Sequence, residues 1–248
     1  MPPPQQVALC VTCLVDQLLP EVGVASVKLL RRAGYQVTFP AGQTCCGQPF
    51  FNSGFRDEAA RLARHTIDTF AEYDTVVLPS GSCTSMIRRE YPHLLAGEPK
   101  YAHRARRLAS RTFELSEFLV QQAHWDPAPA GAAPNPITYH DSCHMCRLLG
   151  LRQEPRTLLA QAGCPVHEMA ESDRCCGFGG LFSLRMPEVS NAMSREKLAQ
   201  AANTPGGTLV TADPGCLMQL RGLAGESGVQ VRHLAEVVEE ATRPGVTP

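Results

Sequence analysis

Short apolar runs alternate along this chain with longer stretches whose apolar residues recur every three or four positions. The runs at 7–11, 35–39 and 75–78 read as strands, and so do those at 137–139, 165–168 and 208–211. Between them, the stretches at 22–33, 56–73, 155–162 and 187–202 carry helical spacing. Gly34 and Gly163 stand directly after two of these stretches, where helices commonly stop. Strand–helix alternation predicts an α/β fold, its mainly parallel sheets flanked by helices.

The pattern occurs twice. Cys45-Cys46-Gly47 and Cys175-Cys176-Gly177 are matching landmarks. Thirty-one residues separate Cys13 from Cys45, and 31 separate Cys143 from Cys175, so both landmarks shift by 130 positions. Residues 75–83 line up with 208–216, each an apolar run, a turn and then a cysteine (Cys83, Cys216). Leu115-Ser116-Glu117 resembles Leu234-Ala235-Glu236 at the start of an apolar helix. A fixed internal period decides the architecture before any local detail does. The chain therefore divides into a first cysteine-rich half, 1–125, and a second, 137–248. The connector 126–136 carries four prolines and reads as a stiff, extended linker.

Bulk properties narrow the function. A length of 248 residues suits one large domain or two small ones. The net charge of -1, with only short basic clusters at Arg31-Arg32 and 104–107, offers nucleic acid no binding face. No apolar run approaches the roughly 18–20 residues that span a bilayer. Met1 to Gln6 contains no basic residue, so the start does not read as a signal peptide and the cytoplasm is the expected compartment. Thiols stay reduced there, and eleven cysteines then point to metal or catalysis before disulfides.

In open α/β sheets, ligands bind beyond the carboxyl ends of strands. Cys13, Cys45, Cys46 and Cys83 fall at that edge in the first half, and Cys143, Cys175, Cys176 and Cys216 in the second. Four thiolates suit a tetrahedral zinc ion or an iron–sulfur cluster. Directly adjacent cysteines are awkward on one compact ion but sit readily on different irons, which favours the cluster. The glycine after each pair lets backbone approach closely and take positive φ. Cys10, Cys146 and Cys164 read as buried or bystander thiols, the first two having no counterpart in the repeat. His140 and His144 flank Cys143; they suit either tuning of a cluster or a polar loop. No nucleophile–base pair and no nicotinamide or P-loop fingerprint is present.

These segments carry a resemblance. The paired Cys-Cys-Gly motifs, Thr12-Cys13, Gly47-Gln48-Pro49, Gly81-Ser82-Cys83 and Cys175-Cys176-Gly177-Phe178-Gly179-Gly180 resemble the cysteine-rich domain family. That family includes a subunit of heterodisulfide reductase and the iron–sulfur subunit of glycolate oxidase. The resemblance implies up to two iron–sulfur clusters of 4Fe–4S type, one held by Cys13, Cys45, Cys46 and Cys83, the other by Cys143, Cys175, Cys176 and Cys216. It also implies an electron-transfer subunit of a cytoplasmic oxidoreductase that takes L-lactate to pyruvate with two companion proteins. Related oxidoreductases acting on glycolate or a disulfide, and a zinc-stabilised or sensing protein, are the alternatives. In one respect the chain departs from the family. The fuller motif ends Cys-x-x-Cys, and Met86 and Gln219 occupy that last position here.

Overall fold

A computed structural model describes residues 5–130 and 136–244. The first sheet is built from β1 (Gln6–Leu9), β2 (Gln36–Thr38), β3 (Val76–Leu78) and β4 (Thr112–Glu114). All pairings are parallel, in the spatial order β2-β1-β3-β4. The second sheet contains β5 (Ile137–Tyr139), β6 (Thr208–Thr211) and β7 (Gln230–His233), also parallel and in the order β5-β6-β7. The chain is thus α/β, with two parallel sheets flanked by helices, as the alternating pattern predicts. Among the described residues, no helix is long and apolar enough to cross a membrane.

Two details differ from the sequence expectation. The strand expected at 165–168 contracts to a single parallel bridge, Val166 to Ile137, at the place β2 holds in the first sheet. Pro165 lacks an N–H to donate, and the Glu168 carboxylate is drawn out to Arg156 at 2.5 Å, so pairing stops after one residue. The edge strands β4 and β7 escape the pattern altogether. Thr-Phe-Glu and Gln-Val-Arg-His are too short and too polar for their alternation to register. Each runs directly into a helix through a capping box, Glu114 with Glu117 and His233 with Glu236, at the two segments the repeat aligns.

Alternation along the strands builds two cores. Val7, Leu9 and Val77 face a core shared with the second half, where Tyr139, Leu158, Leu209, Leu217 and Val237 are buried. Ala8, Cys10, Val76 and Leu78 face the opposite way, into an outer core closed by Ile67, Ile87 and Tyr91. Burial on both faces is what a parallel sheet requires. Across the shared core, the helix Pro20–Arg32 packs on Leu234–Ala241, while Gln153–Gln161 packs on Leu115–Glu117 and Phe118–Gln122. Arg32 ties the first pair to Glu239 at 2.6 Å, and Gln121 ties the second to Glu154 at 2.6 Å. Of the connector, positions 131–135 lie outside the described residues. Ala130 donates its N–H to the Ala241 carbonyl at 2.8 Å.

Candidate metal centres

The first quartet of cysteines comes from three loops at the carboxyl edge of the first sheet. Cys13 opens the helix Cys13–Leu18, directly after Thr12, whose φ of 71° is unusual for a residue with a Cβ. Cys45 and Cys46 lie in the loop after β2, and Gly47, at φ 86°, turns the chain into the helix Gln48–Asn52. Cys83 sits in the first turn of Gly81–Ser85, where its N–H reaches the capping Ser80 hydroxyl at 3.3 Å. The Sγ atoms of Cys46 and Cys83 are 3.4 Å apart. Cys45 hydrogen-bonds the thiols of Cys13 and Cys46 and accepts from the Gly47 N–H at 3.4 Å. Four sulfurs thus form one contiguous chain.

The second half repeats this chain. Cys176 and Cys216 are 2.9 Å apart at sulfur, and Cys175 accepts from the Gly177 N–H at 3.4 Å and from the Cys143 thiol. Gly177 has φ 89°, and a Cβ there would collide with the Ser190 carbonyl oxygen. Asp213 caps the helix Pro214–Leu223 that carries Cys216, accepting from the Gly215 N–H at 3.1 Å. All eight cysteines singled out in the sequence are therefore gathered, four in each half.

Their environments sort thiols from thiolates. Hydrogen bonds from Cys13 and then Cys46, aided by the Gly47 N–H, hold Cys45 down at about 3. The equivalent donors, Cys143, Cys176 and Gly177, hold Cys175 at about 2. Donation to Cys45 or Cys175 and burial push Cys13, Cys46, Cys143 and Cys176 upward. The bond from Cys176 lowers Cys216, but burial and the nearby Asp213 carboxylate raise it overall. Each quartet therefore contains one cysteine prepared as thiolate, the form that binds metal.

Hydroxyl groups far away in sequence fix the paired cysteines. Tyr91 donates to the Cys46 carbonyl at 2.7 Å, and Ser194 donates to the Cys176 carbonyl at 2.7 Å. Gln219, standing where the resemblance predicts a fifth cysteine, donates to Ser190 and Ser194 at 3.1 and 3.0 Å and so braces the same turn. Met86, its counterpart, is fully buried in the outer core. These supports lie on helices distant in sequence, and no local motif announces them.

The remaining candidates separate. Cys164 is buried with its sulfur toward the Ala162 carbonyl, and Cys146 is buried beneath the Asp141 carbonyl. Cys10 is buried beside the first quartet, where burial and then the charge of Cys83 push its thiol upward. His144 touches the Cys143 sulfur through Nδ1 at 3.5 Å. His140 is fully buried, and a ring nitrogen lies within 4.8 Å of the sulfurs of both Cys176 and Cys216. Burial, followed by the Lys197 charge, lowers its pKa to about 4.

Two parallel α/β halves, each presenting one cysteine quartet around a Cys-Cys-Gly turn, define a recognisable class. The cysteine-rich domain profile matches residues 7–88 and again 137–221, and the chain belongs to that family. It is similar to lactate utilization protein A of Bacillus subtilis (strain 168), with 45% identity over 94% of this chain and 98% of that protein. Lactate utilization protein A of an Exiguobacterium species is 44% identical over 96% of this chain and 98% of its own length. Among solved structures, a glutamate racemase of Bacillus anthracis aligns over 95% of this chain and 78% of its own, at TM-score 0.36 and 10% identity, which carries no argument.

Proposed function

We propose that this chain is the iron–sulfur electron-transfer subunit of a cytoplasmic lactate utilisation system, acting with two companion proteins as L-lactate is oxidised to pyruvate. The observation that carries the reading is the pair of four-cysteine groups, one gathered around the Cys-Cys-Gly turn of each half. The donor chemistry fits an iron–sulfur group: four cysteine sulfurs per half, with a backbone N–H aimed at one of them. Buried polar atoms without a protein partner, Thr12 Oγ1, Ser142 Oγ and His140 Nε2, stand at or beside the same cysteines. Cys13, Cys45, Cys46 and Cys83 would hold one cluster, and Cys143, Cys175, Cys176 and Cys216 the other.

A cluster supplies one-electron redox chemistry. The chain's own residues would hold it and set its surroundings. Converting a hydroxy acid to a keto acid releases two electrons and two protons, which matches two one-electron centres in one subunit. The substrate assignment rests on the names of the relatives. Anaerobic iron and sulfide analysis with EPR tests the reading: two clusters per chain are expected, reduced by L-lactate only when the companion proteins are present. Stoichiometric zinc without iron, or cluster-loaded protein that stays oxidised in the complete system, would overturn it.

A further inference from the structure

Besides Met86 and Gln219, the two halves differ at one more position of the repeat beside the cysteines. The shift of 130 residues that superposes Cys13 on Cys143 places Cys10 on His140. The fold agrees. Cys10 follows β1 and donates its N–H to the Val77 carbonyl of β3 at 3.0 Å, and His140 follows β5 and donates to the Val210 carbonyl of β6 at 2.8 Å. Both residues leave the carboxyl end of the first strand of their half, three positions before Cys13 and Cys143.

His140 has the arrangement of a ligand. Its Nδ1 lies 3.2 Å from the Ser172 carbonyl, which can only accept, so the proton is on Nδ1. That leaves Nε2 with its lone pair, completely buried and without a protein partner. No other three ligand atoms among the described residues are as tightly grouped as those of His140, Cys176 and Cys216. A backbone carbonyl holding the far nitrogen is the usual way a protein orients a metal-binding imidazole. Here the carbonyl is itself fixed, accepting also from the Asp141 N–H at 2.9 Å and from the buried Lys197 ammonium at 3.4 Å. In the first half, the counterpart is a thiol, and Cys10, Cys46 and Cys83 do not close to the same spacing.

We infer that His140 ligates iron in the second centre through Nε2, giving that half a mixed nitrogen–sulfur site while the first keeps sulfur alone. This rests on the iron–sulfur reading above. Neutral imidazole brings less negative charge than thiolate, so exchanging His140 for cysteine would lower the potential of the second centre.

Pulsed EPR of the full chain, reconstituted anaerobically, reduced, and labelled with 15N-histidine, tests the assignment. One of two cluster signals should show a directly bound histidine nitrogen, retained in Cys10→Ala and lost in His140→Ala. Should His140→Ala not fold, His140→Cys serves: it should keep the cluster, lose the nitrogen coupling and lower that centre's potential. Two intact cluster signals without histidine coupling, or coupling that survives His140→Cys, would overturn the ligation alone. Absence of any cluster signal would overturn it together with the reading on which it rests.

Discussion

The backbone N–H of Ser82 donates to Asp213 Oδ2 at 2.7 Å, and the Ser82 hydroxyl reaches Oδ1 of the same carboxylate at 3.2 Å. Ser82 immediately precedes Cys83, and Asp213 caps the helix of Cys216, so one carboxylate joins the two quartets across the halves. Close packing encloses the joint: a Cβ on Gly81 would come 2.8 Å from the Met145 side chain in the helical turn after Cys143. Asp213→Ala should therefore remove a helix cap and the cross-half bonds together. The expected cost is about 2–3 kcal/mol, the sum of a lost cap and a charged hydrogen bond. Urea unfolding of the metal-free chain measures it, and Asp213→Asn should recover roughly half.

The two motif glycines should differ in tolerance. Both have positive φ, but a Cβ at Gly47 meets nothing closer than 3.3 Å, whereas at Gly177 it strikes the Ser190 carbonyl. Gly47→Ala should cost about 1 kcal/mol from backbone strain alone. Gly177→Ala should displace the Cys175–Cys176 turn, lowering iron content by about one cluster while the first half stays loaded. Iron analysis with EPR of each variant separates the two outcomes.

Thiolate character predicts an order of reaction. In metal-free, reduced protein at mildly acidic pH, iodoacetamide should label Cys45 and Cys175 first, because each is held as thiolate by neighbouring donors. Both are partly exposed, unlike Cys46 and Cys176. Peptide mapping by mass spectrometry after brief labelling checks it; equal labelling of all eight positions would contradict the assignment.

Glu114 predicts a pH dependence of stability. Its carboxylate Oε2 accepts from the N–H groups of Ser116 and Glu117, yet burial dominates and lifts its pKa to about 8 from an ordinary 4.5. In that interval, the folded chain binds a proton that the unfolded chain has released. Glu114 therefore contributes most below about pH 4.5, and the contribution falls as pH rises towards about 8. His140 and His233, with pKa values lowered by burial to about 4 and about 3, act in the opposite sense below their ordinary 6.5. The measurement is therefore the difference between Glu114→Gln and the parent in urea unfolding: the variant should gain relative stability as pH rises from about 5 to about 8.

Much of this was legible in the chain itself, because the repeat is carried by residues with few substitutes. The spacing of Cys13, Cys45 and Cys83 against Cys143, Cys175 and Cys216 located both quartets. The strand runs located the edge on which they gather. Hidden from such a reading were β4 and β7, whose brevity leaves no period to detect. Also hidden were Tyr91, Ser194 and the bracing contacts of Gln219, which matter across helices distant in sequence. Cys10 was easy to set aside because it lacks a cysteine counterpart; its counterpart is a histidine, which a search for matching cysteines cannot see.

The packing of Pro20–Arg32 on Leu234–Ala241, answered by Gln153–Gln161 on Leu115–Glu117 and Phe118–Gln122, has the reciprocity of a two-fold dimer interface. The same two faces meet twice with their owners exchanged. Two separate copies of a single half could make these contacts, but every change in one would then appear in both. Joining the copies in one chain removes that constraint. It allows cysteine at position 10 with histidine at 140, and methionine at 86 with glutamine at 219, within a frame that still has near-symmetric contacts. Covalent linkage turns a symmetric pair into one that can have a direction.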